Sequence, residues 1–243
     1  MPSDPAPTQI VDEKESRLSA VFVKGARESG MAEYRPIEVC NLLLVVLVIG
    51  LSIRTFFLQP HRISTGSMEP TITAGDRVLL DRMSYNFRRP RRGEIVALQT
   101  VMLPDIAAGK AAFFVKRLVG LPGESISIAD DRHVHVGEKR LTSADKGFER
   151  VYTFTGPARA GVYSGHVNQE SAARYSPSSL KVAPRFPNAG TVEELNLHEV
   201  FVLGDNTMVS QDSRSWGPIP TASVAGRVWL VYWPWSSRLG WMR

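Results

Sequence analysis

The chain has a single cysteine, Cys40, so it cannot form an intramolecular disulfide. A thiol-based mechanism would need a histidine partner and an aqueous site, and Cys40 instead lies inside an apolar run. Its simplest interpretation is a small residue that faces lipid or is buried. With one cysteine, the sequence leaves the redox compartment of the protein open.

The sequence also lacks a recognisable pattern of metal ligands. His133 and His135 would share one face of a strand, but no third ligand accompanies them in a known arrangement. None of the five histidines lies in a motif that indicates a Ser-His-Asp site, although triad members cannot be found from spacing alone. We therefore predict that the protein uses no metal and no cofactor.

No motif for reading nucleic acid accompanies the basic residues, although the chain carries a formal charge of +5. The clearest basic cluster is Arg88-Arg89-Pro90-Arg91-Arg92. It has two main interpretations, a solvated loop or a contact with the headgroups of anionic lipids. We predict no nucleic-acid partner.

One long apolar run stands out. Val39 to Ile53 carry no charge, and the run reaches Leu58 if Arg54 extends toward a lipid headgroup. A bilayer core needs about 20 apolar residues in a helix, so we predict a transmembrane helix over residues 37–58. A buried core helix is the alternative, while a cleaved signal peptide is disfavoured because no small-residue cleavage pattern follows. Residues 1–36 are predicted to form a largely disordered cytoplasmic tail, but charge does not settle the orientation.

After this run, helical periodicity is scarce and short strand-like segments dominate, which predicts a mainly β fold with an antiparallel sheet. We place this β-rich domain at residues 59–141 and 199–243. Residues 142–198 are rich in Ser, Pro, Gly and Ala and are predicted to be an inserted subdomain of unknown role, with a weak strand signal at Val151–Phe154. The clearer strand segments are 77–80, 93–98, 112–119, 125–128, 133–136, 200–203 and 228–233.

Two residues suggest nucleophilic chemistry. Ser67 lies in Ser67-Met68-Glu69-Pro70-Thr71, and a serine hydroxyl is a poor nucleophile until a base takes its proton. Lysine has a free pKa of about 10.4, so it serves as a base only where apolar burial lowers that pKa. Lys116 lies in the apolar segment Phe113–Val119. Composition alone leaves open whether it is such a buried base or an edge-strand lysine that points to solvent.

Three segments together resemble the type I signal peptidases, which are membrane-anchored Ser-Lys endoproteases. Ile63–Ile72 is similar to the nucleophile box, Lys116–Gly123 to the lysine box, and Gly204–Gly217 to the C-terminal box of that family. The resemblance covers residues 39–137 and 199–233. It implies a serine endopeptidase that removes N-terminal signal peptides from exported preproteins by a Ser-Lys dyad mechanism.

The resemblance also implies roles for individual residues. Ser67 would be the nucleophile and Lys116 the base, with the Thr65 hydroxyl and the Ser67 N–H binding the oxyanion. Ser210 would orient the lysine, and Asp205, Asp212 and Arg214 would support the site. The residue after Asn206 is often arginine in relatives and is Thr207 here, which puts in doubt a salt bridge from Asp205 to that neighbour.

The same resemblance implies a substrate that binds as an extended strand and is cleaved after small residues at the first and third positions before the scissile bond. The positions that match the substrate pockets are Ile63, Met68, Ile72, Phe114 and Val115. His61 stands where relatives often have a bulky apolar residue, so the third-position pocket is expected to differ.

The implied location is the bacterial inner (plasma) membrane, crossed once, with the catalytic domain on the periplasmic side. The expected partners are preproteins with signal peptides and membrane phospholipid, and we expect a monomer. Three alternatives stay open: a Ser-Lys autoprotease of the SOS-repressor type, a specialised processing peptidase of the conjugation or organelle type, and a membrane-anchored β-domain without catalysis. The apolar run argues against the first, and the joint presence of Ser67, Lys116 and Ser210 argues against the last.

Overall fold

The computed structural model describes residues 36–52, 54, 58–103, 113–156, 165–175, 183–234 and 239–242. The chain divides into two compact units, Met1–Leu51 and Ser52–Arg243. The predicted tail, apart from Pro36, lies outside the described residues.

The described part of the first unit lies in helix α1 (Pro36–Ser52), whose last residue already belongs to the second unit. The helix begins with a proline at its first position. Its leucine, valine and isoleucine side chains are exposed on every side. Across the described segments, no helix has the length and apolarity needed to cross a membrane. The predicted helix boundary at Leu58 is wrong, because Leu58 already belongs to the sheet, where it pairs with Asp81.

The second unit is mainly β. Its described strands are β1 (Leu58–Arg62), β2 (Arg77–Asp81), β3 (Ile95–Gln99), β4 (Phe113–Gly120), β5 (Ser125–Ile128), β6 (Val134–Val136), β7 (Lys139–Arg140), β8 (Val192–Glu194), β9 (Glu199–Leu203), β10 (Ile219–Pro220), β11 (Val224–Trp233) and β12 (Gly240–Trp241). The short helices are α2 (Ser84–Phe87), α3 (Gln169–Tyr175) and α4 (Ser213–Trp216), with 3-10 turns at Thr100–Met102 and Thr221–Ser223.

Two antiparallel sheets organise these strands, which confirms the predicted mainly β, antiparallel class. The larger sheet has the order β1-β2-β11-β3-β4-β9-β10, with β12 paired to β11. The smaller sheet has the order β7-β6-β5-β8. Strand β4 lies between β3 and β9, so Lys116 sits on an interior strand, not an edge strand, and its side chain is buried.

The described part of residues 142–198 packs against the rest of the second unit. Strand β8 pairs with β5, with Ser125 opposite Glu194. A single apolar cluster joins residues of this region to β4, β5 and β9, and its members include Val119, Phe148, Val151, Tyr152, Phe186, Leu195 and Phe201. The strand expected at Val151–Phe154 is wrong: these residues form a turn and irregular backbone.

Candidate active site

A tight turn after β1 presents Ser67. Within the turn, the backbone N–H of Ile72 donates to Met68 O at 2.9 Å. Asn206 holds the turn from outside, because its backbone N–H donates to Ser67 O at 3.0 Å and its side-chain amide donates to Gly66 O at 3.2 Å. The serine is therefore fixed against the segment that follows β9, 140 residues away along the chain.

Lys116 meets Ser67 across this turn. Its Nζ donates a hydrogen bond to Ser67 Oγ at 3.0 Å, and both residues are buried, at 4% and 6% exposure. The ring of Phe114 lies 6.0 Å from Nζ. Among the described residues, no carboxylate forms a salt bridge with Lys116, so its ammonium form would be buried without a direct counter-ion.

Burial is the main reason that the pKa of Lys116 falls from its usual value to about 8. The carboxylate of Asp212 opposes this shift by favouring the charged amine, and the guanidinium of Arg214 adds to it. A substantial fraction of the amine is consequently neutral near pH 8. A neutral amine has the lone pair that a base requires.

Thr65 completes the polar cluster at the serine. Its Oγ1 lies 3.2 Å from Ser67 Oγ, and either hydroxyl can be the donor. Thr65 is exposed, whereas Ser67 is buried, so the threonine hydroxyl stands at the mouth of the site. Within the described part of the chain, no hydrogen bond uses the backbone N–H of Ser67. Both groups are therefore available as donors to a bound oxygen atom.

An open cleft of about 280 Å³ leads to Ser67 and Lys116. It brings together four of the five predicted pocket residues; the fifth, Ile72, is fully buried in the apolar cluster beneath the turn. His61 also faces the cleft, where its ring meets Phe113 edge to face at 6.1 Å. The lining residues are His61, Ile63, Ser64, Thr65, Ser67, Met68, Phe113, Phe114, Val115, Lys116, Val209 and Gln211.

Asp212 and Arg214 form a fully buried ion pair beside the site. Arg214 Nε and Nη2 each donate to the Asp212 carboxylate at 2.8 Å. Asp212 also caps α4 and accepts the backbone N–H of Gly204 at 2.9 Å. Burial alone would raise the pKa of Asp212, but the charge and hydrogen bonds of Arg214 outweigh it and hold the pKa below its usual value.

Arg117 is a site residue that the sequence analysis missed. Its guanidinium donates to both Asp205 oxygens, at 2.7 and 2.6 Å, and both side chains are buried. Asp205 is thus paired with Arg117, which lies on the same strand as Lys116. In relatives, the residue after Asn206 is often an arginine. Thr207 fills that neighbouring position instead, and its hydroxyl accepts a close hydrogen bond from Arg214 Nη1. The only sequence signal for this role of Arg117 was its position next to Lys116, and that position did not identify Asp205 as its partner.

Ser210 lies near the site, but the structure does not join it to Lys116. Its Oγ is buried and has no hydrogen-bond partner among the described residues. It packs directly against Gly204: a Cβ at Gly204 would clash with the Ser210 side chain and would lie 2.5 Å from Ser67 O. Position 204 therefore requires glycine for close approach.

His166, from the region to which no chemistry was assigned, also reaches this segment. It is fully buried; its Nδ1 lies 3.1 Å from Tyr152 Oη and its Nε2 lies 3.1 Å from Gly204 O. Burial, followed by the charge of Arg214, lowers the pKa of His166 to about 4. The ring is neutral at physiological pH, so Nε2–H donates to the carbonyl and Nδ1 accepts from the tyrosine.

Comparison with known proteins identifies the family of this chain. The family model for signal peptidase, peptidase S26, matches residues 37–233. A probable signal peptidase I-2 of Synechocystis sp. is 28% identical over 201 residues, 82% of this chain and 73% of the relative. A signal peptidase I of Leptolyngbya laminosa is 29% identical over 195 residues, 80% of this chain and 77% of the relative. Thylakoidal processing peptidase 1 of Arabidopsis thaliana is 27% identical over 201 residues, 81% of this chain and 48% of the relative. Because the family match spans most of the sequence, the chain belongs to peptidase family S26, and its activity is that of a signal peptidase I, a serine peptidase.

Proposed function

We propose that Ser67 is the nucleophile and Lys116 the general base of this peptidase. The observation that carries the proposal is the 3.0 Å contact between Ser67 Oγ and the buried Nζ of Lys116. A hydroxyl and a base at this separation are within direct proton-transfer reach. Among the described residues, the other side chain that forms a hydrogen bond with the Ser67 hydroxyl is Thr65, and a neutral hydroxyl is not a base.

In the first half of the reaction, neutral Lys116 takes the proton of Ser67 as Oγ attacks the carbonyl carbon of the scissile bond. The carbonyl π electrons move to oxygen, which gives a tetrahedral intermediate. The ammonium of Lys116 then returns its proton to the leaving nitrogen as the C–N bond breaks. The mature protein leaves as a free amine, and the signal peptide stays bound to Ser67 as an ester.

In the second half, Lys116 removes a proton from water, and the resulting hydroxide attacks the ester carbonyl. Collapse of that intermediate breaks the bond to Ser67 Oγ, which regains its proton from Lys116. The signal peptide departs with a new carboxylate. One lysine thus serves as base and then as acid in each half, and no net proton is gained or lost by the two catalytic side chains.

The oxyanion of each intermediate would be bound by the Thr65 hydroxyl and the Ser67 backbone N–H. Thr65 Oγ1 lies 3.2 Å from Ser67 Oγ, close to where a bound carbonyl oxygen must sit. Ser210, Asp205, Asp212 and Arg214 would act behind the reacting atoms by fixing the backbone around Gly204. Preorganised donors of this kind are the usual source of large rate effects in acyl transfer.

The substrates we propose are preproteins with signal peptides that are cleaved after small residues. The cleft before Ser67 is about 280 Å³ and has walls that include Ile63, Met68 and Phe114. Walls of this kind favour small apolar side chains, and an extended peptide would lie along the cleft with alternate side chains directed into it. His61 lines the cleft at the position where relatives often have a bulky apolar residue, so the third-position pocket would differ from theirs.

We further propose that the protein is a monomer anchored once in the bacterial plasma membrane, with its tail in the cytoplasm and the catalytic domain outside. Helix α1 supports the anchor, because its surface is apolar all round and exposed. The span would end before Leu58, which begins β1. The catalytic domain would comprise residues 59–141 and 199–243, with residues 142–198 as an accessory region that packs on it.

The decisive experiment is preprotein cleavage by the detergent-solubilised full chain, with sequencing of the product N-terminus. Ser67→Ala should abolish cleavage. Its matched control, Ser64→Ala, should retain it, because Ser64 lines the same cleft, while the described hydrogen bond of the Lys116 amine goes to Ser67. Appreciable turnover in Ser67→Ala would remove Ser67 as the nucleophile.

A further inference from the structure

A second cleft, of about 470 Å³, lies apart from the candidate active site, and the two clefts share no described lining residue. We call it the basic cleft. Its walls hold five cationic side chains, one carboxylate and two large apolar side chains. They are Arg88, Arg91, Arg92, Lys146, Arg227, Glu94, Trp229 and Met242.

Two glycines fix the loops that form the basic cleft. Gly93 and Gly147 both have positive φ and lie back to back: a Cβ at Gly147 would be 2.6 Å from Gly93 O, and one at Gly93 would clash with Lys146 O. Arg117 joins the same loops, because its Nη1 donates to Gly93 O at 2.8 Å and to Gly147 O. Lys146 is thereby held beside the arginine loop.

The carboxylate in the basic cleft is already satisfied. Glu94 accepts two hydrogen bonds from Arg88, at 2.6 and 3.1 Å, one from Tyr85 Oη at 3.0 Å, and one from the Arg91 backbone at 2.9 Å. Burial opposes its charge, but Arg88 and the other donors together hold the pKa of Glu94 below its usual value. Glu94 therefore orients the arginine loop, and it also lies 3.9 Å from Arg227 Nη1.

Two further cations in the cleft have partners outside it. Arg227 pairs with Asp81 at 3.0 Å, and Arg92 pairs with Glu124. Arg91 and Lys146 are exposed, and in the described part of the chain neither side chain forms an ion pair. Five cations consequently face three carboxylates, which leaves an excess of two positive charges. That excess suits a phosphate group, which carries one or two negative charges and accepts several hydrogen bonds.

The apolar side of the cleft indicates what carries the phosphate. Trp229 and Met242 line it, and Trp229 packs on Trp241 with ring centroids 4.4 Å apart. The Trp241 side chain is 60% exposed. Exposed tryptophan beside arginine and lysine is typical of the zone where a protein meets a bilayer surface. A free phosphate ion has no apolar part that could pack on these rings, whereas a lipid has both a phosphate group and an apolar body.

We propose that the basic cleft binds the phosphate of an anionic phospholipid headgroup, with Arg91 and Lys146 as its main charged contacts. The proposal rests on the membrane anchorage proposed above and is independent of the roles given to Ser67 and Lys116. Such a contact would fix the rotation of the catalytic domain above the bilayer, where a signal peptide emerges.

The test measures binding of soluble dihexanoylphosphatidylglycerol to the full chain in an uncharged detergent by titration calorimetry. The double variant Arg91→Ala/Lys146→Ala should bind roughly 10- to 30-fold more weakly, since each cation near an anionic lipid contributes a several-fold factor. The matched control is Arg82→Ala/Arg89→Ala, which loses the same charge from exposed positions outside the cleft. It should bind as the unaltered protein does.

Two results would overturn the proposal: unchanged affinity in the Arg91/Lys146 variant, or inorganic phosphate or dihexanoylphosphatidylcholine binding as tightly as dihexanoylphosphatidylglycerol. Preprotein cleavage in detergent should be unaltered in both double variants. Flotation with phosphatidylcholine vesicles tests the anchorage alone, and every variant should float. Failure to float would count against the anchor, whereas equal lipid affinity would count against the basic cleft.

Discussion

Two neighbouring residues of β4, Lys116 and Arg117, are cations buried to nearly the same extent, at 4% and 3% exposure. They point to opposite faces of the sheet, because side chains alternate along a strand. Arg117 is surrounded by acceptors, with both oxygens of Asp205, Gly93 O and Gly147 O within hydrogen-bond distance. Lys116 contacts Ser67 Oγ, and no carboxylate of the described segments pairs with it.

The difference follows from what each group can do when it leaves water. A buried charge without a partner is costly, and a group avoids that cost either by pairing or by losing its proton. Arginine cannot lose its proton in a protein, whereas lysine can. One face of β4 thus holds a permanent, fully paired charge that joins loops together. The other face holds the amine of Lys116, which can gain or lose a proton.

The largest expected effect comes from placing an arginine at position 116, so that it matches position 117. Lys116→Arg should reduce kcat/KM for preprotein cleavage by roughly 10⁴-fold or more, because a guanidinium cannot act as a base at working pH. Lys116→Met should be equally inactive, yet at least as stable as the unaltered protein, because it removes a buried charge without a counter-ion. Cleavage kinetics and thermal unfolding check both. Activity in either variant would remove Lys116 as the base.

On the opposite face of β4, substitution of Arg117 should lower the free energy of unfolding. Arg117→Met would leave Asp205 buried and unpaired, which is expected to cost about 3–5 kcal/mol of unfolding free energy. The double variant Arg117→Met/Asp205→Leu should recover part of that loss, since it removes both charges. Urea unfolding measures each. If Arg117→Met is as stable as Lys116→Met, the contrast between the two faces is wrong.

Sequence patterns predicted the parts of this contrast that depend on neighbours in the chain. Short apolar segments predicted strands close to β2, β3, β4, β5 and β9, and the three family motifs predicted the family. The 2-residue strands β7, β10 and β12 carry no periodic signal, so they depend on the sheet that receives them. Leu58 was assigned to the helix because hydrophobicity alone does not separate a membrane span from a strand next to it.

Long-range partners were the part that could not be predicted. Arg117 and Asp205 are 88 positions apart, and His166 and Gly204 are 38 apart. No local pattern says which buried carboxylate an arginine meets, or that a histidine in a Ser- and Pro-rich region reaches the backbone beside the nucleophile. Ile72 also shows that a motif does not reveal the tertiary surroundings of a side chain. Its position in the motif predicted that it lines a substrate pocket, whereas its burial places it in the core.

Substitution of Thr65 tests whether a residue besides Ser67 and Lys116 contributes to catalysis at this site. Thr65→Val keeps the side-chain shape and removes the hydroxyl, so turnover should fall roughly 10²–10³-fold if this donor binds the oxyanion. Thr65→Ser should be nearly neutral, and neither variant should unfold earlier in urea, because Thr65 is exposed. The measurement is kcat at saturating preprotein. A normal rate in Thr65→Val would mean that backbone donors alone form the oxyanion hole.

His166 offers a third buried ionisable group for comparison with the two cations. Its pKa of about 4 keeps it neutral, so it acts by hydrogen bonds and not by charge. His166→Phe would leave Gly204 O and Tyr152 Oη without their partner, at a cost of about 1–3 kcal/mol in stability. Tyr152→Phe is the control that keeps the contact with Gly204 O; it also removes the hydrogen bond from the Val134 N–H, which at 3.4 Å is long, so it should cost less. Urea unfolding distinguishes them, and equal stability of all three proteins would contradict this role.

The smallest expected effect concerns pH. The neutral amine is the base, so kcat/KM should rise with pH and level off above about pH 8, and below that value it should fall about tenfold per pH unit. Stability should follow the same lysine. Its pKa is about 8 when folded and near 10.5 when unfolded, so between these values the unfolded chain binds a proton that the folded chain has released. Unfolding free energy should therefore rise with pH across that window, by about 1 kcal/mol per unit from this group. Lys116→Met should lose that increment while Arg117, which cannot deprotonate, contributes none. A rate that stays flat from pH 6 to pH 8 would show that titration of the Lys116 amine does not control cleavage in this range. The same pH slope of stability with and without Lys116 would show that the folded and unfolded chains bind this proton equally.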